Sequence, residues 1–328
     1  MRKTLLAAML AGVTAITLAA PALAAATAPA AGQELTVPGP LAPLHGTLLQ
    51  PAKPAKAPVI LILPGSGPTD RDGNNPLGVK AAPYRLLAEA LAAQGVASVR
   101  IDKRGIGASQ AAVADANAVT LAAYAADARA WVAAARRETG AKCVWLLGHS
   151  EGGLIALSAV DGPGICGVVL VAAAGRPFGT ILREQLHANP LNAPIVDQAE
   201  AALTALEKGD RVDVSTFHPA LQGLFNPKVQ GYLIDLLQHD PAKMAQGNTR
   251  PMLIVQGLSD IQIGEADARS LASARPDARL VLIPGMNHVL KQVGDVDRAT
   301  NAASYANPDL PVDPTLVGTV AAFVKASG

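Results

Sequence analysis

From residue 59 onward, short runs of apolar side chains alternate with longer stretches in which Leu and Ala recur at helical spacing. Val59 to Leu63, Ala97 to Ile101, Lys142 to Leu147, Gly167 to Ala172, Met252 to Gln256 and Arg279 to Ile283 have the near-continuous apolar character of strands covered on both faces. Tyr84 to Ala93, Leu121 to Thr139 and Gly152 to Val160 carry the spacing of helices that lay one face on a sheet. Strand and helix repeated in this order predict the α/β class, a mostly parallel sheet with helices on both faces. Ahead of it, Glu34 to Val37 and Leu44 to Gln50 alternate as an antiparallel hairpin, and Pro51 to Pro58 reads as a connector.

One connection breaks the rhythm. About eighty residues separate Ala172 from Met252, several times what a simple crossover needs. Ile195 to Lys208 and Lys228 to Gln238 look helical, and Pro177, Pro190, Pro194, Pro219, Pro227 and Pro241 punctuate the stretch. The expected organisation is a core over residues 33–177 and 249–328, with residues 178–248 inserted as a helical cap at the C-terminal edge of the sheet.

The first residues follow a different logic. Arg2 and Lys3, an apolar run from Leu5 to Ala20 and the small-x-small triplet Ala22-Leu23-Ala24 have the layout of a secretory signal over residues 1–24. Pro21 interrupts the run, which argues against a membrane anchor. Ala25 to Gly32 reads as a flexible leader. The expected destination is the periplasm or the exterior, with no stable membrane insertion once the signal is cleaved. Export would let Cys143 and Cys166 pair, since both open strand-like runs; two small buried hydrophobes are the other reading.

Composition narrows the chemistry. Aromatics are 3% of the 328 residues, so Ala and branched aliphatics must fill the core, and a broad aromatic ligand platform is unexpected. A net charge of +1 supplies no field for nucleic acid or an anionic membrane. The chain has no Gly-rich phosphate loop and no Cys/His metal cluster in its sequence, so no cofactor is called for.

Gly148-His149-Ser150-Glu151-Gly152 lies between a buried strand and a helix, the context of a G-x-S-x-G nucleophile elbow. A serine hydroxyl needs a base to take its proton and a carboxylate to orient that base. Of the six histidines, His288 sits in the loop Pro284 to His288 after the last strand, whereas His187, His218 and His239 fall in the insertion, His45 in the hairpin, and His149 points away from the serine. Asp260 ends Gln256-Gly257-Leu258-Ser259-Asp260 after the preceding strand, and Ala172 to Gly175 offers no acid one strand earlier. Ser150, Asp260 and His288 therefore form the candidate triad, in the chain order of α/β-hydrolases. The N–H groups of Glu151 and, in the loop Pro64-Gly65-Ser66-Gly67, of Ser66 are the candidate oxyanion donors.

With these motifs, together with Asp70-Arg71-Asp72-Gly73-Asn74, Asp102-Lys103-Arg104-Gly105-Ile106-Gly107-Ala108-Ser109 and Gly285-Met286-Asn287-His288, the mature chain resembles bacterial α/β-hydrolases of the serine aminopeptidase S33-like and acyl-esterase kind. The resemblance implies the α/β-hydrolase fold and places catalysis on Ser150, Asp260 and His288, with donors at Ser66 and Glu151. It departs at Pro64, where many members have His. Charged Asp70, Arg71 and Asp72 are expected to order the neighbouring loop through ion pairs, with Arg104 as one partner; meeting a charged substrate is the other reading. The leading function is a carboxylesterase for short to medium acyl esters, with a small-molecule ester as its partner. Peptide or amide hydrolysis and a binding protein that has lost turnover are the alternatives.

Overall fold

A computed structural model describes residues 32–326. The signal sequence expected over 1–24 and all of the leader but Gly32 lie outside the described residues. The strands are β1 (Gln33–Val37), β2 (Leu44–Leu49), β3 (Val59–Leu63), β4 (Ala97–Ile101), β5 (Val144–His149), β6 (Ile165–Val171), β7 (Met252–Gly257) and β8 (Arg279–Ile283). They form one sheet in the order β1-β2-β4-β3-β5-β6-β7-β8. The pairs β1–β2 and β2–β4 are antiparallel and all other neighbours parallel.

Burial follows position in the sheet. Every residue of β3, β4, β5 and β7 is buried, because helices cover both faces. Edge strand β1 keeps only Leu35 and Val37 inside. On one face, Trp131 of the helix Leu121–Thr139 packs with Leu154 and Ile155 of the helix Gly152–Ala159. The other face is covered by Pro83–Ala93 and Pro314–Ala326 through Leu87, Leu91, Leu316 and Val320. With so few rings available, each is placed with effect: Trp145 meets Phe323 edge to face at 5.2 Å. Thr120 caps the helix Leu121–Thr139 by accepting from the Ala123 N–H, and Gly140 ends it at φ 71°.

The chain leaves β3 for β4 on one side and returns to β5 on the other, and the helices that follow β3 and β4 cover opposite faces. Such a reversal opens a crevice beyond the C-terminal strand ends. Leu63 pairs with Gly148, so the loops after β3 and β5 emerge side by side there.

At the opposite ends of the strands a disulfide joins Cys143, just before β5, to Cys166, the extra residue of β6 between the pairs Val144–Ile165 and Trp145–Gly167.

Between β6 and β7 run the helices Phe178–Ala188, Val196–Glu207, Pro219–Leu224, Gln230–Leu237 and Pro241–Gly247, with a 3-10 turn at Pro190–Ile195. Pro190, Pro219 and Pro241 each open a helical turn, where the missing N–H costs nothing. Leu203, Leu206, Leu221 and Phe225 build a separate apolar cluster, and Arg183 ties Glu200 to Glu207 across its surface. Helix Gln230–Leu237 bridges this cluster and the main body, with Leu233, Ile234 and Leu237 against the cluster and Leu236 in the core of the body, which also buries Ala245 of the last helix. Helix Gln230–Leu237 is also pinned from below: Asp235 Oδ2 accepts from the Leu121 N–H at 2.6 Å, and the Gly231 N–H donates to Asn117 Oδ1 at 2.8 Å.

Candidate active site

Ser150 sits between β5 and its helix with φ 55°, a left-handed conformation that costs a non-glycine residue about 1–3 kcal/mol. Its N–H donates to the Val171 carbonyl at 3.1 Å, which holds the turn to the neighbouring strand. The two flanking glycines are required by contact. A Cβ on Gly148 would lie 2.3 Å from the Gly152 carbonyl oxygen, and one on Gly152 would lie 2.2 Å from that of Leu63. Ser150 is thereby presented half-buried at the sheet edge.

His288 and Asp260 arrive from the loops after β8 and β7 and meet. His288 Nδ1 is 2.8 Å from Asp260 Oδ2. The carboxylate is fully buried; its Oδ1 accepts from the N–H groups of Gln262 at 2.8 Å and Ile263 at 2.9 Å. With Nδ1 taken by the acid, Nε2 is the ring nitrogen left to act as an acceptor. All three predicted triad residues thus lie on loops at one edge of the sheet, and the pair His288–Asp260 is hydrogen-bonded; among the described residues the Ser150 hydroxyl has no hydrogen-bond partner.

The two loops are locked together by residues that sequence spacing did not single out. Asn287 is buried; its Nδ2 donates to Ser304 Oγ at 2.7 Å and Asn301 Oδ1 at 3.1 Å. Asn301 Nδ2 in turn donates to the Ser259 carbonyl at 2.7 Å. The residues before the histidine and before the acid therefore share one buried amide network, built on the helix Arg298–Ala303.

His149 does not merely point away from the serine. Its Nε2 donates to the His288 carbonyl at 2.8 Å, and its Nδ1 lies 2.8 Å from the Tyr84 hydroxyl, which itself accepts from the Gly65 N–H at 3.0 Å. The Tyr84 proton is then the one shared with Nδ1. Burial, and secondarily the nearby His288, push the His149 imidazole down to about 3, so it stays neutral and keeps this tautomer. The chain links the loop after β3, the elbow and the backbone of His288. Gly65, next to Pro64, is held by Tyr84 on one side and by Lys103 on the other, whose Nζ donates to the Gly65 carbonyl at 2.7 Å.

The N–H groups of Ser66 and Glu151 flank the elbow, and neither is bonded to an acceptor among the described residues. The neighbouring charges are structural, with one reassignment. Arg71 forms a two-point pair with Asp102 and also bonds Glu34. Asp72 pairs with Arg100, and Asp70 accepts from the N–H groups of Asp72 and Asn74 in its own turn. Arg104 belongs elsewhere: it grips Asp127 of the helix Leu121–Thr139. Among the described residues there is no group of three His, Cys, Asp or Glu side chains placed to hold a metal ion, and no helix long and apolar enough to cross a membrane.

The sheet order, the elbow and the His–Asp pair define an α/β-hydrolase. Residues 77–292, more than half of the chain, match the family described as serine aminopeptidase, S33, and the chain belongs to this hydrolase family. It is 26% identical over 268 residues to esterase EstD of Thermotoga maritima, a match that covers 79% of this chain and 60% of that protein's length. In fold it is similar to Est1E from Butyrivibrio proteoclasticus, with TM-score 0.55, 18% identity and coverage of 89% of this chain and 99% of the other. It is likewise similar to proline iminopeptidase of Mycobacterium smegmatis, with TM-score 0.57, 17% identity and coverage of 90% and 98%.

Proposed function

We propose that the chain is a serine carboxylesterase acting on small-molecule esters with short to medium acyl groups. The observation that carries this reading is the meeting of His288 with the buried Asp260 at the sheet edge where Ser150 occupies its strained elbow. In the reaction, Ser150 Oγ attacks the ester carbonyl while His288 Nε2 takes its proton, and Asp260 stabilises the imidazolium through Nδ1–H. The N–H groups of Ser66 and Glu151 receive the oxyanion. His288 then protonates the departing alcohol, leaving an acyl group on Ser150 Oγ. Water, deprotonated by the same imidazole, attacks that acyl-enzyme and regenerates the serine. The similarity to EstD supports an ester as substrate. The test is hydrolysis of aryl esters of graded acyl length: turnover that is lost in Ser150→Ala and peaks at short or medium chains is expected, and no turnover of any ester contradicts the reading.

Amide hydrolysis is the second reading, favoured by the family's description and by the likeness to a proline iminopeptidase. An aryl amide assayed beside the aryl ester decides between them. The segment 178–248 is proposed as a cap that sets acyl preference. The N-terminal 24 residues are proposed as a cleaved export signal; a periplasmic or secreted chain beginning near Ala25 is the expected product, and a cell-retained chain with Met1 intact contradicts it.

A further inference from the structure

Beneath the elbow lies a buried charged cluster that the reaction above leaves without a task. Lys103, in the turn after β4, is 5% exposed. Its Nζ donates to the Gly65 carbonyl at 2.7 Å and to Glu151 Oε1 at 3.2 Å, and it stands 5.3 Å from the centre of the Tyr124 ring. Tyr232, from the helix Gln230–Leu237, closes the cluster with its ring edge-on to Tyr124 at 5.5 Å. The two acceptors of Lys103 lie on the two segments that carry the candidate oxyanion donors. Gly65 immediately precedes Ser66, and Glu151 is itself the residue after Ser150.

The placement has an electrostatic consequence. Glu151 would receive the negative oxyanion on its N–H while carrying a buried carboxylate of its own. In a low-dielectric site an uncompensated carboxylate there opposes the charge that develops in the transition state. Lys103 is the one cation bonded to Glu151 among the described residues. Burial pushes the ammonium down, yet Glu151 outweighs it and the group is held above its ordinary value, so it stays charged. An ion pair buried only for stability gains little over apolar packing. This one also bonds a main-chain carbonyl on the facing loop.

We propose that Lys103 is a positioning residue for the oxyanion site: its ammonium ties the Pro64–Gly67 loop to the first turn after Ser150 and cancels the charge of Glu151 beside the developing oxyanion. The proposal rests on the reading of Ser150 as nucleophile. The telling comparison is Lys103→Met/Glu151→Gln against Glu151→Gln alone, since the double variant leaves no unpaired buried charge and is the one built to fold. With an aryl ester, kcat should fall by about 10- to 100-fold between the two, as a displaced donor predicts, while KM changes little. The backbone amide of Gly65, which donates to the Tyr84 hydroxyl, should exchange faster, with exchange in β7 and β8 unchanged. Lys103→Met alone, which strands the carboxylate, should lose more. Equal kcat in the double variant and Glu151→Gln, or a loss confined to KM or thermal stability with unchanged loop exchange, overturns the proposal. The reading of Ser150 fails on a different result, an undiminished kcat in Ser150→Ala.

Discussion

Ser150 stands in a backbone conformation that serine avoids, and the contacts around Gly148 and Gly152 leave the turn no other course. Ser150→Ala is expected to fold and to lose kcat by ~10³-fold or more. His288→Ala should cost about as much and the double variant little more, because the residues act as a unit; losses that multiply would contradict the assignment. His149 gives a separate prediction, in stability rather than rate. In the folded chain it takes up a proton only near pH 3, against ~6.5 when unfolded, so between these values the unfolded state binds more protons. Stability contributed by the neutral ring is therefore complete above about pH 6.5 and is lost as pH falls toward 3. His149→Gln should flatten the acid limb of unfolding free energy by up to ~1.4 kcal/mol per pH unit. An unchanged slope in chemical denaturation at pH 4 to 6 would contradict it. The placement of Ser150, Asp260 and His288 at one edge of the sheet was legible because each follows a strand at a spacing the fold dictates. His149, Tyr84 and Lys103 were not, because what matters in them is a through-space contact to Gly65 or His288 from a distant part of the chain. The partner of Arg104 was misjudged for the same reason: nothing in the sequence ranks Asp127 above Asp70 and Asp72.

At the scale of elements, apolar runs placed β3, β4 and β8 at the ends the structure gives them, and the C-terminal end of each is marked by a change to Pro64, Asp102 or Pro284. β5 and β6 begin and end a residue or two away from their apolar runs. In β5 the cause is chemical, as pairing continues through Gly148 and His149 beside Leu170 and Val171 although a histidine looks like the end of a strand. Gly152→Ala tests the approach of helix to strand: a methyl 2.2 Å from the Leu63 carbonyl should lower stability by roughly 1–3 kcal/mol, seen as a lower Tm, and an unchanged Tm would contradict the geometry. The inserted segment was legible as helical, but its division was not. Helices up to Phe225 share their own cluster, helix Gln230–Leu237 packs on it through Leu233 and Leu237 while Leu236 enters the body, and Ala245 belongs to the body. A deletion that tests the proposed cap should accordingly span about residues 180–227 and leave the last two helices in place. Changed acyl-length preference with Ser150 still reactive is expected; unchanged preference would assign the pocket to the loops around Ser66 and Asp70.

Across the whole molecule, chemistry gathers at one end of the sheet and the covalent tie at the other. Cys143 and Cys166, 23 residues apart, close a loop far from Ser150, so Cys143→Ser/Cys166→Ser should lower unfolding free energy by roughly 3 kcal/mol and leave turnover of the folded enzyme intact. A loss of kcat at temperatures where the variant stays folded would mean that the two ends are coupled. The central claim, that Ser150 is the nucleophile of an acyl-transfer site, is met most directly by a fluorophosphonate followed by peptide mapping. One adduct per chain, on Ser150, with ester hydrolysis lost in proportion to labelling and no adduct in His288→Ala over the same time, is the predicted result. Hydrolysis that persists in fully labelled protein, or an adduct on any other residue, would contradict it.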